Sequence, residues 1–160
     1  MAGWEAFFAA QLAAAATLAG LLFVGVSLNL AKILANPSLP GRALSGFYLL
    51  LANLIVASLM LVPDQPRVAV GLEILLVGLV LWGTVSCLDV VAIRRSTAEY
   101  RGYFVRHFFM FQAAMIPYLV GGVMVLAGAA GGLYWVAAAM VISLFVASTE
   151  AWVLLVEINR

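Results

Sequence analysis

Five apolar runs, each long enough to cross a bilayer, follow one another along this chain with only short polar breaks between them. A hydrocarbon core of about 30 Å takes roughly 20 residues of helix at 1.5 Å each. Runs of that length cover residues 8–34, 43–62, 68–93, 104–126 and 133–157. The first is closed by Asn36-Pro37-Ser38-Leu39-Pro40-Gly41 and the second by Pro63-Asp64-Gln65-Pro66, where proline and glycine stop a helix. Arg94-Arg95-Ser96-Thr97-Ala98-Glu99-Tyr100-Arg101 separates the third from the fourth. Gly128-Ala129-Ala130-Gly131-Gly132 separates the fourth from the fifth, and three glycines in five residues predict a hairpin rather than one very long helix. Of the 160 residues, 66% are hydrophobic and 9% charged, against roughly 25% charged in a soluble domain. The expected fold is therefore all-α: a polytopic transmembrane bundle of five helices forming a single domain over residues 1–160. The start of the chain lacks the basic region of a cleaved signal, so the first run is expected to stay as a mature helix.

Charge placement predicts orientation. Lys32, Arg42, Arg94, Arg95, Arg101, Arg106 and Arg160 fall on one side of a five-span topology and Arg67 on the other. Cytoplasmic loops carry the excess of lysine and arginine, which puts the N-terminus outside and the C-terminus in the cytoplasm. Trp4, Trp82, Trp135 and Trp152, with Tyr100, Tyr103 and Tyr134, lie mostly toward span ends, where amphipathic rings anchor. A net charge of +1 with scattered basic residues gives no stripe to track phosphates, so nucleic acid is not an expected partner. The lipid bilayer is.

Polar groups inside the spans are the candidates for function, because each is costly in hydrocarbon and needs a partner. By helical rise, Glu73 lies about 8 Å inside the outer boundary and Glu150 about 25 Å from it. That separation does not support two-carboxylate catalysis. Glu150 and Glu157 share a helix face with Ser143 and Ala147, and the stripe ends near Lys32, Asp89, Arg94 and Arg95. An ion-pair cluster fixing helix packing is the plainer expectation there, and an inner vestibule of an ion path the sharper one. Glu73 has no cation on its own face; Gln11 reaches a similar depth and is the acceptor expected for a protonated Glu73. Asn53 sits about 15 Å from either end of its span, where an amide most often joins helices. Gln112 adds a second amide. Gln11, Asn29 and Lys32 form a thin polar stripe expected to face the protein interior. Ala13, Ala16 and Gly20, and Gly121 with Gly122, are expected to permit close helix contact.

Catalytic and cofactor chemistry is not expected. His107 stands beside Arg106 without a second histidine to complete a metal or haem site, and reads as an interfacial polar residue. The single cysteine, Cys87, precludes an internal disulfide or a cysteine cage. Ser27 and Ser143 are expected to bond back to helix carbonyls. The glycines lack the lysine and hydroxyl residue of a phosphate loop. No metal, cofactor or catalytic residue is therefore assigned.

Several segments carry a resemblance. They are Leu18-Ala19-Gly20-Leu21-Leu22-Phe23-Val24-Gly25-Val26-Ser27-Leu28-Asn29-Leu30, Leu39-Pro40-Gly41-Arg42-Ala43, Gly71-Leu72-Glu73, and Ala151-Trp152-Val153-Leu154-Leu155-Val156-Glu157-Ile158. Together they resemble a family of small bacterial multi-pass membrane proteins labelled modulator of FtsH protease or hypothetical membrane protein. The resemblance implies a bacterial inner-membrane protein without established chemistry. With the absent catalytic constellations and the short Arg-rich loop, it predicts a non-enzymatic interaction or regulatory protein, with modulation of a membrane protease included. The candidate cytoplasmic interface comprises Arg94, Arg95, Arg101 and Arg106 with Lys32, Asp89 and Glu157. The alternative is a homo-oligomeric ion channel or proton-coupled transporter using Glu73 and Glu150, with Asn53 and Gln112 at intermediate depths. Five helices make an incomplete bundle, so a homo-oligomer is expected in either case.

Overall fold

The computed structural model describes residues 3–35, 39–96 and 98–158. Asn36, Pro37, Ser38, Thr97 and Arg160 lie outside the described residues, as do the side chains of Arg95, Glu99, Tyr100, Tyr103 and Glu157. Among the described residues the elements are all helices: α1 (Glu5–Leu28), α2 (Leu30–Ala35), α3 (Leu39–Met60), α4 (Arg67–Arg95), α5 (Ala98–Leu126) and α6 (Gly132–Ile158). Five of them, all but α2, are long and apolar enough to cross a membrane. This is a multi-pass membrane protein, and its exposure pattern is that of one. Leu28, Phe23 and Phe145 are 80%, 66% and 66% exposed while Glu150 and Asn53 are 3% and 0% exposed, an arrangement that only a hydrocarbon solvent favours.

Helix boundaries depart from the sequence reading at three places, each for a local reason. The first run is not one helix. Asn29 leaves the helical conformation, its side chain donates to the Gly25 carbonyl at 3.0 Å, and its N–H turns to Val26. A short amide side chain that competes for backbone partners does this. The second long helix starts at Leu39, ahead of the expected Ala43, because Pro40 sits in its first turn, where a missing N–H leaves nothing unpaired. The fourth starts at Ala98, ahead of the expected Phe104; a helix continues past the hydrocarbon when polar side chains meet water and the backbone still bonds to itself. Ser96 closes α4, its N–H on the Ala92 carbonyl and its hydroxyl on Ile93.

The chain forms two compact units, residues 1–64 with 143–160 and residues 65–142; α6 runs through both. In the first unit α1 packs on α3 through Phe8, Ala15, Ala19 and Leu22. The small-residue strip expected at Ala13, Ala16 and Gly20 is exposed instead. Small residues occur all round α1, and spacing alone did not separate the two strips. In the second unit α4 and α5 form an antiparallel pair. A methyl group added at Gly71 would lie 2.6 Å from Leu126 Cγ, one at Gly78 2.9 Å from Leu119 Cδ2, and one at Gly122 2.8 Å from Leu75 Cγ. Glycines seven residues apart on α4 thus receive leucines seven apart on α5, the small-residue packing of membrane helices. The glycine hairpin after α5 is present. Gly128 adopts φ +75°, its N–H bonds the Val125 carbonyl and that of Ala129 the Met124 carbonyl, a Schellman end.

Candidate functional sites

Each unit contains a buried polar group of its own. In the first unit Arg42, in the opening turns of α3, donates from Nε to Glu150 Oε2 on α6 at 2.5 Å. Arg42 is 9% exposed and Glu150 3%, so the pair is withdrawn from solvent, and a charge there needs its counterion. Gly46, one turn on from Arg42, makes room. A methyl group in its place would lie 3.6 Å from Glu150 Cβ, ordinary contact, so the helices are close at the pair. Further along the same faces lie the buried Asn53 on α3 and Ser143 on α6. Ser143, expected to bond back to its helix, has a buried hydroxyl with no hydrogen-bond partner.

The partner of Glu150 differs from the expectation. Depth alone points to the cluster of Lys32, Asp89, Arg94 and Arg95, and the proline and glycine before Arg42 place it in a loop. Once Pro40 and Gly41 are helical, Arg42 moves inside the span and its side chain reaches the acid. Lys32 is exposed, since the break at Asn29 puts it on α2 and out of phase with Gln11. Gln11 is half-buried with an unpartnered Oε1.

In the second unit the polar groups line the α4–α5 pair. His107 is 6% exposed and its Nδ1 lies 3.4 Å from Asp89 Oδ1. It is buried against α4 as the partner of Asp89, a contact that the reading of a lone polar residue beside Arg106 did not include. Gln112 Oε1 accepts from Trp82 Nε1, and Gln112 Nε2 donates to Ser86 Oγ at 3.0 Å. Trp82, Ser86 and Asp89 recur at helical spacing on one face of α4. His107 and Gln112 answer them across the hairpin, at similar distances from its turn. That symmetry about a turn was the signal available in the sequence for His107, Trp82 and Ser86. Periodicity within one helix does not reveal it, because the match lies across the turn.

At the other end of this unit, Gln65 Nε2 donates to both oxygens of Glu73, at 3.2 and 3.1 Å. Gln65 precedes the helix, in a segment whose prolines mark it in the sequence only as a turn. Arg94, Arg101 and Arg106 are exposed around the α4–α5 turn. Several other hydroxyls, those of Thr17, Ser58, Thr84 and Ser148, donate to the carbonyl one helical turn earlier, a use that leaves no proton acceptor to activate them. What these groups do is join helices: among the described residues, one buried ion pair, one buried histidine–carboxylate contact and one amide centre each link two helices. Comparison with protein-family models, with curated proteins and with solved structures finds no match to this chain.

Proposed function

We propose that this protein works by association in the membrane, as a non-enzymatic interaction or regulatory protein of the bacterial inner membrane, with the α4–α5 turn in the cytoplasm. One observation carries the reading. The buried groups Arg42 and Glu150, and Asp89 and His107, are paired inside each unit, and the half-buried Gln112 is held by Trp82 and Ser86, while Arg94, Arg101 and Arg106 are exposed at the turn. Groups held this way set helix packing, and exposed arginines suit lipid headgroups or an acidic partner surface. Modulation of a membrane protease is the specific form that the family resemblance favours.

The test is purification from native membranes in mild detergent, with the mass of the complex and its components measured together. A stoichiometric membrane-protein partner is expected, lost in the Arg94→Gln, Arg101→Gln, Arg106→Gln triple variant. A chain that purifies only with itself sinks the proposal. The transporter reading has one observation in its favour, the buried Asp89 Oδ2 without a hydrogen-bond partner, and it requires proton flux in liposomes that Glu73→Gln or Asp89→Asn removes.

A further inference from the structure

Helix α1 packs tightly on its own unit as far as Leu22 and then stands away from it. Two apolar clefts open on either side of the joint between α1 and α2. One, of about 260 Å³, is lined by Gly25, Ala151 and Trp152 among others. The other, of about 310 Å³, is lined by Phe23, Leu44 and Phe47. They share Leu22, Val26 and Ile33, so they fork about a single ridge. The cleft walls are hydrocarbon almost throughout, and Ser148 at the edge of the first lends its hydroxyl to the Leu144 carbonyl. A methyl group at Gly25 would meet nothing within 4 Å, so this glycine leaves space that a side chain would take.

Length and charge identify the occupant. Along α1 the first cleft runs from Leu18 toward the helix end at Leu28, a rise of about 15 Å, which is about half of the hydrocarbon core, and both clefts continue past the break to Ile33. Lys32, exposed on α2, is the sequence neighbour of Ile33, the α2 residue that lines both clefts. Another helix, about 10 Å across with its side chains, fits a continuous face better than two narrow clefts parted by a ridge. Two acyl chains joined at one end fit the fork. We propose that the clefts bind one diacyl phospholipid with an anionic headgroup, one chain in each cleft and the phosphate at Lys32.

Native mass spectrometry of the full chain, released from membranes in mild detergent, tests this. The expected result is one anionic diacyl lipid retained per chain. Gly25→Phe weakens retention by about tenfold, equivalent to roughly 1.4 kcal/mol, and Lys32→Gln removes the preference for anionic over zwitterionic lipid. Gly20→Phe, on the same helix and also over open space but outside the clefts, retains lipid as the wild type does. Equal retention in wild type and Gly25→Phe, or no headgroup preference in the wild type, overturns the proposal. Should Gly25→Phe fail to fold, Trp152 in the unaltered chain gives a second measurement. Anionic lipid brominated on its chains is expected to quench fluorescence saturably, and the saturable part is expected to vanish in Trp152→Phe. Quenching that rises without saturation overturns the site.

Discussion

A buried guanidinium and a buried carboxylate cannot be removed singly without stranding the other. Arg42 and Glu150 are such a pair, and breaking a buried pair from one side costs about 3–5 kcal/mol. Glu150→Ala is therefore expected to lower stability by about that much in a denaturant titration of the detergent-solubilised protein. The Arg42→Met, Glu150→Met double variant, which leaves no charge behind, is expected to recover most of the loss. If the double variant is as unstable as the single, the pair is not what holds α3 to α6. Gln112 is a different case, since amide bonds between membrane helices are worth less, about 0.6 kcal/mol on average. Gln112→Leu is expected to cost roughly 1–2 kcal/mol for its two partners, and a double-mutant cycle with Ser86→Ala should show coupling. Depth made Glu150 and Gln112 legible as candidates. Their partners were not legible, because depth is one coordinate and a contact needs three.

At the scale of elements, the α4–α5 hairpin depends on where side chains are missing. Gly71 and Gly122 face leucines at distances that leave no room for a methyl group, whereas Gly83 on the same α4 has nothing within 4 Å. Gly71→Ala and Gly122→Ala are expected to destabilise the hairpin by about 1–3 kcal/mol through overpacking. Gly83→Ala is expected to be neutral or to stabilise by up to about 1 kcal/mol, from helix propensity alone. Thermal unfolding of the three variants side by side checks this, and equal effects would mean that the glycines do not mark the contact. The contrast with α1 is instructive. There the residues expected to make contact, Ala13, Ala16 and Gly20, are exposed, and Ala15 and Ala19 are buried. A small residue permits close approach, but only a neighbour makes use of it.

Within each unit, large apolar side chains of the spans such as Phe23, Leu76 and Phe145 are exposed while Asn53, Asp89 and Glu150 are buried, so the protein and its bilayer form one system. The proposed five-span orientation predicts opposite accessibility for the turns. In a Cys87→Ser background, single cysteines at Asp64 and Ala129 are expected to react with a membrane-impermeant thiol reagent from outside. One at Arg101 is expected to react only after the membrane is opened. Labelling of Asp64 and Arg101 from the same side would refute the topology. Span number, the helical class and the hairpin at Gly128 followed from the sequence by itself, because bilayer thickness sets run length and every backbone polar group in hydrocarbon must bond within its own helix. Tertiary structure alone decided that Arg42 meets Glu150, that His107 meets Asp89, and that α1 parts from its neighbours to leave two clefts. In a membrane the lipid-facing and protein-facing surfaces are equally apolar, so the periodicity that reveals a buried face in water carries no such information here, and only the packed neighbours distinguish one face from the other.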